Sequence, residues 1–266
     1  MSEAQIKHEQ ETRKVKAEKV LITCPMVGGI YDQEPDHWLR SFLAIIANVR
    51  QLGWTYAPYF PQRKTWEQAG NMMFDIAFEN EFTYILRLDD DIWGIGLDYV
   101  TKLYQADKDV IGACYATRYY PYVLAALNKV DKETNIIDLW NTQNQGLKES
   151  EGQGVQEVDQ IGFGMTLIKV EPFKLLERPI FPKDMSCPDD TWFAHVCAKN
   201  NIKQYVNMDL KMCHRHVTCF NRKYLNNSDA RMMLQAGQIK ADGTYYNNDM
   251  IEKFGEDGMK DIGMLK

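Results

Sequence analysis

The chain has 266 residues, 45% of them hydrophobic and 26% charged, a composition that excludes a disordered chain and is long enough to bury a core. Its formal net charge of −6 argues against nonspecific binding to nucleic acid, which needs a concentrated cationic surface. No stretch approaches the roughly 18 consecutive apolar residues of a spanning helix. The opening MSEAQIKHEQETRKVKAEKV lacks an apolar signal-peptide core, and six cysteines (Cys24, Cys114, Cys187, Cys197, Cys213, Cys219) are scattered through the chain; a cytoplasmic, reducing compartment is the expectation.

Residues 1–18 alternate charge with few apolar positions and read as an exposed arm. Val20 to Thr23 is a short, partly β-branched apolar run that stops at Cys24-Pro25 and the Gly28-Gly29 turn, which predicts a buried strand feeding a loop. From Asp36, the residues Trp38, Phe42, Ile45, Ile46 and Val49 recur at helical spacing, with Gly53 as the stop. Thr55–Phe60 reads as a strand, Trp66–Phe78 as a helix, Phe82–Leu88 as a central strand, Leu97–Tyr104 as a helix and Val110–Tyr115 as a strand. The polar stretch from Asp131 to Val158 reads as a long loop or hairpin excursion. A strand over Met165–Val170, a helix over Asp189–Asn200 with Trp192, Phe193 and Val196 inward, and a strand near Gln204–Val206 follow. Residues 221–266 show no clear period and read as an irregular C-terminal extension. Strands alternating with helices of this length predict an α/β fold, with a mixed, mainly parallel sheet covered by helices on both faces over residues 19–220.

Ligands of such sheets bind beyond the carboxyl ends of the strands, and Asp89-Asp90-Asp91 sits at one such end. Each carboxylate pair repels by roughly 1 kcal/mol even in water at ~4 Å. A hard divalent ion, Mn²⁺ or Mg²⁺, offsets that charge and keeps positions open for substrate phosphates; an acidic surface loop is the competing explanation. Gly162 and Gly164 precede an apolar strand and read either as a close backbone approach or as a tight turn with positive φ. Asp189-Asp190 opens a helix, where capping is one role open to either aspartate. Lys203, Lys211, Arg215, Arg222 and Lys223 form a basic run, read as a solvated face or as a local patch for phosphates. Cys213, His214, His216 and Cys219 are competent zinc ligands, spaced too tightly for a usual finger.

Over about residues 19–216, the chain resembles the GT-A glycosyltransferases, particularly family-two-like and phage-encoded members. The metal-binding DxD strand of that family is matched by Tyr84-Ile85-Leu86-Arg87-Leu88-Asp89-Asp90-Asp91-Ile92. The resemblance implies that Thr23 and Pro25 hold the nucleotide base, that Asn71 belongs to an Arg-Asn pair preceding the metal strand, and that Gly70 stands where the arginine usually is. It implies further that Gly112–Arg118, followed by Pro121, is the strand and arginine after the metal site. On the same grounds Gly162 and Gly164 flank the donor sugar, and Asp189-Asp190 replaces the usual Glu-Asp with Asp190 as general base. His214, favoured over His216, completes the metal shell.

What this implies is a metal held by Asp89, Asp91 and His214, with Asp89 and Asp90 also beside the ribose and Arg118 among the donor contacts. The implied donor is a nucleotide-diphosphate sugar, with UDP as the expected nucleotide. The acceptor is a hydroxyl of a glycan or small molecule, or of a hydroxymethylated base in phage DNA, and a phage-encoded chain would act in the host cytoplasm. A sugar-phosphate nucleotidyltransferase is the enzymatic rival, although Pro25–Ile30 lacks the basic residue of its glycine-rich loop. A non-catalytic nucleotide-sugar-binding module is the other rival, kept open by Gly70.

Overall fold

A computed structural model describes residues 18–26, 35–62, 64–116, 124–127, 153–183, 185 and 187–214. Residues 1–17 of the expected arm, residues 131–152 of the polar stretch, the C-terminal extension, Gly28-Gly29, Arg118, Pro121, Arg215, His216, Cys219, Arg222 and Lys223 fall outside these residues, while Glu18, at the end of the expected exposed arm, is buried. The elements are, in chain order, β1 (Lys19–Thr23), α1 (Pro35–Gln51), β2 (Thr55–Tyr59), α2 (Trp66–Glu79), β3 (Tyr84–Leu88), β4 (Ile92–Trp93), α3 (Tyr99–Gln105), β5 (Val110–Cys114), β6 (Ala126–Leu127), β7 (Val155–Val158), β8 (Gln160–Ile161), β9 (Met165–Lys169), α4 (Asp189–Lys199), β10 (Gln204–Lys211) and β11 (Cys213–His214). Local chemistry sets several boundaries. Gly53, at φ +71°, follows α1, where a left-handed residue ends a helix at little cost. Thr65 and Gln68 exchange backbone and side-chain hydrogen bonds at the start of α2, satisfying two donors that a helix N-terminus leaves open.

Seven strands form one sheet in the order β2-β1-β3-β9-β5-β10-β7. β2, β1, β3, β5 and β10 point one way, while β9 and β7 run opposite. This is the mixed, mainly parallel α/β sheet expected. β9 enters between β3 and β5 from the edge at which both end, because Gly162 and Gly164 lie against Tyr115, just beyond β5. An antiparallel strand needs no crossover. The last four residues of the polar stretch, read as a loop or hairpin excursion, are β7, paired with β10 at the sheet margin. β10 is longer than its apolar start foretold, since the exposed Asp209 and Lys211 alternate with the buried Met208, Leu210 and Met212.

Alternation along the strands builds two apolar layers. Val20, Ile22, Leu86, Ile111 and Leu167 face α1 and α3 through Ile45, Val49, Val100 and Leu103. Leu21, Ile85, Val110 and Ile168 face α2 and α4 through Met73, Phe74, Ala77, Phe193 and Cys197. Helices therefore cover both faces, and β3 is buried along its whole length. The carboxyl ends of β1, β3, β5 and β10 share one edge with the first residue of β9. Among the described residues no helix is long and apolar enough to cross a membrane.

Candidate active site

β3 runs directly into Asp89-Asp90-Asp91, and β4 begins at the next residue. β4 pairs antiparallel with β11, setting His214 opposite Ile92. The turn after β4 is held by α1: the amides of Gly94, at φ +84°, and Ile95 donate to Ser41 Oγ at 3.1 and 3.4 Å. This ribbon brings His214 Nε2 to 3.4 Å from Asp91 Oδ1, joining residues 123 positions apart (214 − 91). His214 Nδ1 lies 2.9 Å from the Ala116 carbonyl oxygen. A carbonyl can only accept, so Nδ1 carries a proton and the neutral ring has its lone pair on Nε2. Nε2 is buried and makes no hydrogen bond. A backbone carbonyl fixing one ring nitrogen while the other faces a carboxylate is the arrangement that orients a metal-binding histidine.

No three His, Cys, Asp or Glu side chains among the described residues converge as a finished metal cage. A hard divalent ion does not require one, because Mg²⁺-like ions are held by one or two protein ligands and complete their shell with water and substrate phosphate. The Asp91–His214 pair, with a buried nitrogen lone pair, fits such an ion. Asp89 is differently placed, its Oδ1 lying 3.1 Å from Arg87 Nη1.

Arg87 joins the three aspartates after β3 to the two that open α4. It sits on β3 facing α2 and α4, is buried, and donates to the Leu88 carbonyl. Its Nη2 lies 3.4 Å from Asp189 Oδ2, and its guanidinium stands 5.3 Å from the centre of the Phe163 ring. Burial works against the charge on Arg87, but Asp89 and Asp189 outweigh it and raise its pKa further. Burial lifts the Asp89 carboxyl to about 6; Arg87 opposes the rise, and Asp91 and Asp189 add to it. Asp190 is lifted to about 7, first by burial, then by Asp189 and Asp89. Its Oδ1 accepts from the Thr191 amide at 2.7 Å and from Thr191 Oγ1 at 3.3 Å. The cap of α4 is Pro188, which makes no side-chain capping bond, so Asp189 and Asp190 lie within the first helical turn and neither is the cap.

The remaining candidates have other surroundings. Thr23 is buried and its Oγ1 makes no hydrogen bond, while Pro25 is half-buried. Asn71 grips the backbone of Phe181, donating to its carbonyl at 2.7 Å and accepting from its amide at 3.0 Å. A Cβ on Gly70 would stand 2.7 Å from the Phe181 ring, so the missing arginine's position is filled by an aromatic side chain. Gly162 and Gly164 do not have positive φ, which corrects the tight-turn reading. They are small because Tyr115 lies on them: a Cβ would come within 2.0 Å of its hydroxyl at Gly162 and within 2.6 Å of its ring at Gly164. The Gly164 amide donates to Tyr115 Oη at 3.0 Å, and its carbonyl accepts from the Asp89 amide at 3.3 Å.

Of the basic run, Lys203 and Lys211 are among the described residues, and they lie at opposite ends of β10. Lys203 precedes β10 and pairs with Glu157 at 2.9 Å, whereas Lys211 ends that strand, some 25 Å away at about 3.3 Å per residue. Two participants escaped the sequence reading. Arg87 was signalled by a lone cation inside the apolar run YILRL. Tyr115, whose ring meets His214 edge-on at 5.3 Å, carried no signal beyond its position after β5.

No protein-family model matches the chain, and no curated protein matches it. Solved structures resemble it in outline. Protein A197 from STIV is 16% identical, with 77% of this chain and 98% of that chain covered, at a TM-score of 0.44. GalNAc-T7 with UDP, GalNAc and Mn²⁺ is 9% identical, with 93% of this chain covered but 57% of that one, at 0.43. A Drosophila β1,4-galactosyltransferase 7 mutant in complex with manganese, UDP-Gal and xylobiose is 13% identical, with 79% of each chain covered, at 0.41. At identities and TM-scores this low the likeness assigns neither residues nor activity.

Proposed function

We propose that this chain is a divalent-metal-dependent glycosyltransferase of the GT-A type, moving a sugar from a nucleotide-diphosphate donor, with UDP as the preferred nucleotide, to an acceptor hydroxyl. The observation that carries the reading is the meeting of Asp91 with the buried Nε2 of His214 at 3.4 Å, at the sheet edge where ligands of α/β folds bind. Asp91 and His214 would hold Mn²⁺ or Mg²⁺, with Asp89 and Asp90 beside them. When bound, the ion supplies Lewis-acid stabilisation of charge on the departing diphosphate.

Asp190 is the base. Burial and two neighbouring carboxylates lift its carboxyl to about 7, near the value at which proton acceptance is most effective at neutral pH. The acceptor oxygen forms its bond to the anomeric carbon as the bond to the diphosphate oxygen breaks; the electron pair leaves with the diphosphate and the hydroxyl proton passes to Asp190. Attack opposite the leaving group inverts the anomeric centre. The acceptor we favour is a glycan or small molecule, because Lys203 of the basic run lies away from the carboxylate edge.

The test is transfer of labelled sugar from a panel of nucleotide donors to glycans, hydroxymethylated DNA and unmodified DNA, with Mn²⁺ and with EDTA. Transfer or donor hydrolysis that stops in EDTA is expected. Full activity in excess EDTA contradicts the metal. Release of pyrophosphate from a nucleoside triphosphate and a sugar phosphate supports a nucleotidyltransferase instead. Binding of UDP without turnover of any donor supports a non-catalytic module.

A further inference from the structure

We infer that Arg87 is a positioning residue that divides the work of the two acidic clusters, tying up Asp89 of one and Asp189 of the other so that Asp91 and Asp190 face the reaction. This rests on the metal-and-base reading above and adds a residue to it. Arg87 stands one position before the end of β3 and is buried on the α2–α4 side. One arm of its guanidinium takes Asp89 at 3.1 Å and the other takes Asp189 at 3.4 Å. The residues it holds belong to different elements, the loop after β3 and the first turn of α4, 100 positions apart (189 − 89). The planar fork of an arginine can serve two carboxylates at once, which a lysine ammonium on its flexible stem does with less geometric control. Phe163 lies beside the fork at 5.3 Å.

The consequence is geometric. Asp189 is fixed to β3, so the next residue, Asp190, is carried into the same corner as the metal pair. Asp89 is fixed to the same cation, so the turn toward Asp91 and β4 starts from a held point, and the Gly164 carbonyl secures the Asp89 amide from the other side at 3.3 Å. The bridge thus sets the distance between the base half and the metal half of the site. Displacing a reacting group by about 1 Å costs up to about 100-fold in rate, so the bridge acts on turnover more than on donor affinity.

The experiment compares wild type, Arg87→Lys, Asp189→Asn and the charge-balanced double variant Arg87→Met/Asp189→Asn. Hydrogen exchange, thermal melting, Mn²⁺ binding and donor hydrolysis are measured on the full chain. Arg87→Lys and Asp189→Asn are expected to lower kcat by about 10- to 100-fold, with KM for donor and Mn²⁺ affinity within about threefold of wild type, and to speed amide exchange in the first turn of α4. The double variant, which leaves the partly exposed Asp89 to water, is expected to fold and remain slow. Recovery of wild-type kcat in the double variant would reduce Arg87 to charge neutralisation and overturn the proposal. So would unchanged kcat in Arg87→Lys, or a loss confined to KM. Should wild type turn over no donor, the transferase reading falls by itself, and exchange still decides the bridge: unaltered protection at the start of α4 in Arg87→Lys overturns it, and lost protection upholds the bridge.

Discussion

The two edges of the central sheet handle charge in opposite ways. At the amino ends of the parallel strands, Lys169 meets Asp107 at 2.9 Å and Asp109 at 3.5 Å, and Lys203 meets Glu157 at 2.9 Å. These are surface pairs, with each cation facing one or two acids across water-exposed space. At the carboxyl ends, Asp89, Asp90, Asp91, Asp189 and Asp190 gather around the buried Arg87 and the ring of His214. Asp89 and Asp189 share Arg87, and Asp91 faces His214, so five carboxylates meet one arginine and one imidazole at this edge. The first edge pairs its charges at the surface, and the second concentrates negative charge, which the proposed divalent ion would offset.

The sharpest way to break this contrast is at Asp190. Asp190→Asn preserves volume and removes the proton acceptor, so kcat is expected to fall by roughly 10²- to 10⁴-fold with donor affinity nearly unchanged. If Asp189→Asn produced that loss and Asp190→Asn did not, the two roles would be exchanged. Next in size is Gly162→Ala. The added methyl would meet the Tyr115 hydroxyl and force the ring off the glycine loop, at about 1–3 kcal/mol of stability typical of overpacking. A melting temperature equal to wild type would show that the contact yields freely.

The third prediction concerns pH. The Asp190 carboxyl is lifted from 3.8 to about 7 in the folded chain, so the folded state holds a proton that the unfolded state releases. Its stability contribution is fully present below 3.8 and is lost as pH rises through about 7. In metal-free protein, Asp190→Asn is therefore expected to gain several degrees of melting temperature relative to wild type between about pH 4 and pH 7.5. A difference that stays flat over that range would contradict the burial of a charge at this position. The smallest effect belongs to the other edge: Lys203→Ala removes one exposed, solvent-screened pair and should leave melting temperature and turnover at wild-type levels. A large loss of turnover there would connect the two edges.

The fold was legible because its signals are local and periodic. Val20–Thr23, Phe82–Leu88 and Val110–Tyr115 announced buried strands, and the spacing of Ile45, Ile46 and Val49 announced a helix. The antiparallel insertion of β9 was not legible, because pairing partners depend on where Gly162 and Gly164 meet Tyr115, a contact between residues far apart in sequence. The two-residue strands β4 and β11 are too short to carry a period, yet they bring His214 to Asp91. Asp89 to Asp91, Asp189 and Asp190 stood out by residue type and position, and the family resemblance supplied the roles expected of them and of His214. What the sequence did not disclose is that Arg87 contacts both Asp89 and Asp189, a link that exists only once β3 and α4 are side by side. Asn71, expected among the donor contacts, holds the backbone of Phe181 with its side chain, and Gly70, which stands in the place of an expected arginine, lies against the Phe181 ring.

The central claim is that Asp91 and His214 together hold a divalent ion. The most direct measurement is Mn²⁺ titration followed by electron paramagnetic resonance on wild type, Asp91→Asn and His214→Gln, in the presence of UDP. The account predicts one bound Mn²⁺ whose signal shows coupling to a histidine nitrogen in wild type. It predicts loss of that coupling in His214→Gln, and affinity at least about tenfold weaker in both variants, as for a lost ligand or its supporting partner. Wild-type affinity in Asp91→Asn together with a nitrogen coupling that survives in His214→Gln would contradict it.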